Sequence, residues 1–193
     1  MSVEQINFSE LNEMKSNLLE STELSPETVE VIFSDCDFTV HNWEGLNELG
    51  KMRELQGLED NLANIEGREP VEVISVKPSF LDKFRTWITG GVTMGYYDPL
   101  TNKIYINSDL LKDPQGSKAL VDTIAHEGIH AYQNACIKGE ASHHNPTEVE
   151  QWRENFKNYL SADIYGYEMY RNQPVEVIAF DKGELVSNSY KYA

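Results

Sequence analysis

Long hydrophobic runs are missing from this chain of 193 residues: no stretch of about eighteen apolar residues occurs, so no membrane-spanning helix is predicted. The opening residues, MSVEQINFSE, have neither a basic start nor an apolar core, so no ordinary secretory signal is expected. Cysteine is scarce. Cys36 and Cys136 stand far apart in no metal-type spacing, which predicts free thiols in a reducing compartment rather than a disulfide framework. Basic side chains are few as well, 16 Lys and Arg against 32 Asp and Glu, for a net charge of −16. Phosphate backbones and anionic lipid repel such a chain, so neither nucleic acid nor a membrane surface is expected as a partner. No internal repeat and no low-complexity tract occurs. These absences point to a cytoplasmic protein, or one secreted by a signal-independent route.

What is present has ordinary globular proportions, 40% hydrophobic and 25% charged, in a chain long enough for one domain with its own core. The acid is unevenly spread. Residues 1–75 carry seventeen Asp or Glu against four Lys or Arg, and the rest of the chain fifteen against twelve. The division read from this is an acidic N-terminal α/β region, residues 1–69, within or beside the domain formed by residues 70–193. A basic protein partner for the acidic region, or a shielding role over a cleft, is the matching expectation.

Phe8, Leu11, Met14, Leu18 and Leu19 recur at helical spacing behind a capping box formed by Asn7 and Glu10. Val29, Val31 and Phe33 alternate with Glu30 and Ser34, which predicts a strand. Leu46, Leu49, Met52, Leu55, Leu58 and Leu62 predict a second helix, stopped near Gly67 and Pro70. Residues 71–76, VEVISV, read as another strand, and Ser79 to Trp87 as a short helix or an ordered loop. Val92 to Tyr97 and Lys103 to Asn107 read as two strands around an Asp-Pro-Leu-Thr-Asn turn. A long helix is predicted from about Ser117 to Lys138, closed by Gly139. Thr147 with Glu150 makes a second capping box, opening a helix through Trp152, Phe156, Tyr159 and Leu160. A last short helix begins at Pro174 and ends near Gly183. The fold class is α+β.

The stretch that carries chemistry is His126-Glu127-Gly128-Ile129-His130, inside the long helix. Histidines four apart project from one helix face, so both imidazoles reach a single metal ion. Glu127 lies about a hundred degrees round the helix, beside the ion rather than on it, where a carboxylate can take a proton from water activated at the metal. A catalytic zinc takes three protein ligands. A third histidine six residues past the second would complete one arrangement, but Cys136 holds that place and Gln133 the preceding glycine position. The remaining candidates are Glu176, Glu150, Glu148, His143, His144 and Glu168. Glu176 is the choice, because it opens an apolar helix, QPVEVIAF, where a lone carboxylate is costly to bury without a metal. The competing reading is a water-exposed first-turn acid favoured by the helix dipole. His143 and His144 read as a solvated loop.

HEGIH on a helix, after a strand pair of the MGYY…KIYIN kind and before a helix with Pro-x-Glu-x-x-Ala, resembles the zincin metallopeptidases. More narrowly it resembles their compact glutamate-ligand branch, the gluzincin-like domains found in bacterial effectors, toxins and phage-associated proteins. The resemblance covers about Val92 to Lys182. It implies a zincin-like fold, with a small mixed or antiparallel sheet packed on the active-site helix and a helical C-terminal part. It further implies one Zn2+ per chain on His126, His130 and Glu176, Glu127 as general base, and a peptide or protein substrate added to a sheet edge. In the resulting mechanism Tyr170 is the expected oxyanion stabiliser, with His144 second. The chain departs from the larger thermolysin pattern, which has an acid four residues past the ligand glutamate; Phe180 holds that place and Asp181 follows it.

Two rival readings come from other classes. Ser34 to Val40 superficially resembles the Asp-x-Asp-x-Thr nucleophile loop of haloacid-dehalogenase-type phosphatases, through Asp35 and Asp37, although Phe38 replaces the turn glycine. The other rival is a non-catalytic binding protein that keeps the zincin scaffold.

Overall fold

The computed structural model describes residues 6–77 and 94–192. Its first part is helical: α1 (Phe8–Glu20), α2 (Pro26–Ile32), α3 (Val40–Gly45) and α4 (Glu48–Glu66). The capping box at α1 forms as expected, with the Asn7 side chain accepting from the Ser9 and Glu10 backbone. At α2 the structure corrects the strand expected over Val29 to Phe33, and residues 6–69 carry no strand at all. Ser25 Oγ accepts the Thr28 N–H at 3.2 Å and Pro26 takes the first helical position, a start signal that outweighs a short apolar alternation. The loop that follows is therefore not a strand-borne nucleophile loop. Asp37 Oδ1 accepts the Thr39 N–H (2.9 Å), the Thr39 hydroxyl (2.7 Å) and the Tyr190 hydroxyl (3.2 Å), which makes it a turn former tied to the C-terminus.

Three strands form one mixed sheet in the order β1-β3-β2, with β1 at Glu72–Val76, β2 at Gly95–Asp98 and β3 at Lys103–Asn107. β1 runs parallel to β3 and β2 antiparallel to it, so that Val73, Ile104 and Tyr97 lie in one row. β2 begins at Gly95; the predicted element over Ser79 to Trp87 and the first residues of the strand expected from Val92 lie outside the described residues.

The long helix is α5 (Ser117–Lys138), closed by Gly139 in the left-handed region at φ 77°. Sixteen of its twenty-two residues are buried, which makes it the central element rather than an amphipathic cover. After it come α6 (Pro146–Lys157), α7 (Ala162–Tyr165), α8 (Tyr167–Arg171) and α9 (Pro174–Ser189). Two boundaries differ from expectation. Asn145, not Thr147, caps α6, accepting the Thr147 N–H at 3.1 Å with Pro146 in the first helical position. α9 does not stop near Gly183 but runs through it, for a packing reason given below.

One apolar core joins these parts, from Leu18 of α1 through Leu58 of α4, Ile104 of β3 and Ile124 of α5 to Val186 of α9. The acidic helices thus share a core with the rest of the chain. A smaller cluster of Tyr132, Cys136, Trp152 and Val175 joins α5 to α6 and α9. Cys36 and Cys136 are free thiols. Among the described residues no helix is long and apolar enough to cross a membrane.

Candidate metal centre

His126 and His130 are one turn apart on α5, and Glu176 is in the first turn of α9, the helix packed alongside. Their donor atoms all lie within 4.8 Å of one another, and all three residues are buried. His126 Nε2 is 3.4 Å from Glu176 Oε2, and His130 Nε2 is 3.3 Å from Glu176 Oε1. Charge-assisted hydrogen bonds are shorter, at about 2.7–2.9 Å. Ligands about 2.1 Å from a tetrahedral zinc stand about 3.4 Å apart, so the separation of His126 Nε2 from Glu176 Oε2 matches an edge of such a site. The fit has a second sign. Glu176 is fully buried, yet its Oε2 has no hydrogen-bond partner among the described residues. A carboxylate oxygen left so is costly unless a cation takes it. Two imidazoles and one carboxylate are a zinc donor set, and the residues fit the ion.

Within the cluster the charged groups act on one another. Burial alone would raise the Glu176 carboxyl, but the nearby His126 and His130 rings outweigh it and hold the group well below the usual carboxylate range. Burial opposes a charged His130 ring, while Glu176 and Glu127 outweigh that effect and push it up to about 9. The first-turn acid of α9 is therefore not the water-exposed one that the helix dipole alone would favour.

The surroundings hold these side chains in place. His130 Nδ1 meets Gln133 Oε1 at 2.9 Å, and Gln133 Nε2 donates to the Val175 carbonyl at 3.0 Å. One buried amide thus turns Nε2 of His130 toward Glu176 and ties α5 to the start of α9. Phe180 stands edge-on to the His126 ring, 4.6 Å between centroids, and the Arg171 guanidinium carbon lies 4.3 Å from the Phe180 ring centroid. Asp181 pairs outward with Arg171 at 3.1 Å, so neither residue supplies a carboxylate to a histidine. Asp122, one turn before His126, has its carboxyl raised mainly by burial, with the His126 ring pulling the other way.

Glu127 points between α5 and the sheet. Its Oε2 accepts the Tyr97 N–H of β2 at 2.8 Å, and its Oε1 is 4.0 Å from His126 Nε2. Gly95 allows β2 this close, since a Cβ there would lie 2.7 Å from Thr123 Cγ2 of α5. The Asn134 amide donates to the Tyr97 hydroxyl at 2.6 Å and pins the same strand to α5. On the opposite face of α5, a Cβ at Gly128 would lie 3.2 Å from Arg68 and 3.3 Å from Glu59. Arg68 there bridges Glu59 and Glu66, both at 2.6 Å, in a buried triad. α4 therefore braces α5 from behind.

The structure brings together His126, Glu127, His130 and Glu176. Tyr170 stands beside them, its phenol held protonated by burial and by the charges of Glu176 and Glu127. The remaining sequence candidates are elsewhere. His143 is not in a solvated loop: its ring is buried between the Tyr132 hydroxyl (3.0 Å) and Glu148 (2.8 Å), because Trp152 packs against it. His144 lies out beside Glu20 at 3.4 Å, and Glu150 pairs with Arg153 at 3.0 Å. Glu168, on α8, is not in the cluster. Sequence reasoning missed Gln133, whose signal is a polar residue three places past a candidate ligand, and Tyr159, whose hydroxyl donates to Glu176 Oε1 at 2.6 Å. No protein-family model, no curated protein and no solved structure matches this chain.

Proposed function

We propose that the protein is a zinc-dependent metallopeptidase of zincin-like design, with one Zn2+ per chain on His126, His130 and Glu176. The observation that carries this reading is the buried Glu176 carboxylate, facing two imidazole Nε2 atoms at 3.3 and 3.4 Å with one oxygen partnerless. When bound, the ion supplies Lewis acidity and lowers the pKa of water toward about 7. The chain's own residues supply the rest. Glu127 is the general base, and the Tyr97 N–H fixes its carboxylate so that Oε1 is the oxygen free to take a proton. Tyr170, protonated, donates a hydrogen bond to the developing oxyanion. The Asn107 N–H donates to the Met94 carbonyl, so by antiparallel alternation the Gly95 main chain points away from β3. That outward margin, over the base, supports pairing with an extended peptide or protein substrate.

A zinc assay with a peptide-library digest tests the reading. The parent protein is expected to hold about one zinc per chain and to cleave peptides until a chelator is added. Glu127→Gln keeps the zinc and loses cleavage; Glu176→Ala loses the zinc. Cleavage by Glu127→Gln at the parent rate rejects the assigned base. A zinc-loaded parent that cleaves nothing is instead the binding protein that keeps the scaffold.

A further inference from the structure

Tyr159 occupies the short connection between α6 and α7, outside any helix. Its hydroxyl donates to Glu176 Oε1 at 2.6 Å, while Oε2 of the same carboxylate is left without a partner. The placement is built from both sides. Gln173, buried at the cap of α9, accepts the Leu160 N–H at 2.6 Å and donates to the Leu160 carbonyl at 2.8 Å. The same amide donates to the Tyr170 carbonyl at 3.0 Å and accepts from the Asn155 amide at 3.0 Å. One side chain, three residues before the ligand, thus clamps the segment that carries Tyr159. The Tyr159 ring rests edge-on to Tyr170, 6.2 Å between centroids.

We propose that Tyr159 is a positioning residue of the metal centre: its hydroxyl occupies Oε1 of Glu176 and so presents Oε2 as the single carboxylate donor. The inference rests on the zinc reading above and deepens it. An unrestrained carboxylate can turn and offer both oxygens, which raises the coordination number. A hydrogen bond to one oxygen fixes the rotation before the ion arrives, and hydrogen bonds to ligand carboxylates typically hold about 10–100-fold of metal affinity. Tyr159 acts through Glu176, so its removal alters the ion's environment before it alters any reaction.

The test compares Tyr159→Phe with Tyr167→Phe and the parent. Tyr167 packs on Tyr170 and Phe180, but its hydroxyl makes no bond to Glu176. Zinc affinity is read by competition with a chromophoric chelator, and the environment of the ion by the visible absorption of the cobalt(II) form. Tyr159→Phe is expected to hold zinc about 10–100-fold less tightly, with weaker cobalt bands as coordination number rises. Tyr167→Phe is expected to match the parent in both. Circular dichroism of the metal-free proteins separates a local effect from a folding defect, and a cobalt spectrum unchanged in whatever folded fraction remains also overturns the proposal. Parent affinity and an unchanged spectrum in Tyr159→Phe overturn it while leaving the zinc site standing. A parent that binds no zinc overturns both, and the parent's own titration shows which has failed.

Discussion

Gly183 meets His126 across the α5–α9 contact with no room for a side chain: a Cβ at 183 would lie 3.2 Å from the His126 Cβ and 3.0 Å from the Asp122 carbonyl oxygen. Gly183 is seven residues, two helical turns, beyond Glu176, so both face α5. The close approach of the helices at one point brings the carboxylate to the imidazoles at the other. Gly183→Ala gains about 1 kcal/mol of helix propensity but overpacks against backbone, at about 1–3 kcal/mol. We expect a net loss of stability in urea unfolding and zinc held roughly tenfold less tightly, as for a displaced supporting group. A variant more stable than the parent with undiminished zinc affinity contradicts the role given to this contact.

Gln133 does two things with one amide, and Gln133→Met removes both while nearly keeping the volume. The Val175 carbonyl is left unpaired in a buried place, at about 1–3 kcal/mol, and His130 loses the partner of its Nδ1. Zinc affinity is expected to fall about 10–100-fold. Isothermal titration of the metal-free protein checks this. Equal affinity in parent and variant shows that His130 is oriented by something else.

Much of the site could be read in the chain because its spacing is local. His126, Glu127 and His130 share one helix with a glycine stop, and that helix is long enough for periodicity to be decisive. Glu176 was legible through cost, a carboxylate inside an apolar helix start. What was not legible depends on which faces meet. Gly183 reads as a stop by type, but as a close contact only once α9 is laid on α5. Tyr159 looks like one more residue of a helix face and instead follows the helix end, turned toward Glu176 by Gln173. The strand expected at Val29 to Phe33 failed because β-branched residues fit both periods over so short a run. The Ser-Pro start that decides for helix lies just before it.

Zinc that binds only the folded chain should also stabilise it. With free zinc at a hundredfold over its dissociation constant, the parent gains about 2.7 kcal/mol by mass action. The melting temperature should therefore climb with zinc and fall back with chelator, and Glu176→Ala should show almost no zinc-dependent shift. An equal shift in both proteins, followed by thermal melts, places the stabilising zinc somewhere other than this cluster.

The triad behind α5 sets a dependence on pH separate from the histidine cluster. Glu59 and Glu66 share the single guanidinium of Arg68, and all three are buried. Burial pushes the Glu66 carboxyl up to about 7; Arg68 pulls it down and the Glu59 charge adds to the rise. A carboxyl whose folded value lies above its unfolded value binds its proton more tightly in the folded state. Its contribution is therefore full below the unfolded value of about 4.5 and is lost as pH rises through about 7. Urea unfolding of the parent should show stability declining from pH 5 to pH 8, by at most about 1.4 kcal/mol per pH unit from this group. Glu66→Gln keeps a neutral side chain of the same shape at every pH, so its curve should be flatter, with the advantage over the parent growing toward pH 8. Arg68→Leu, in contrast, strands two buried carboxylates and should cost about 3–5 kcal/mol at pH 8, less at pH 5. If the parent and Glu66→Gln decline in parallel across this range, the excess buried charge is not on Glu66.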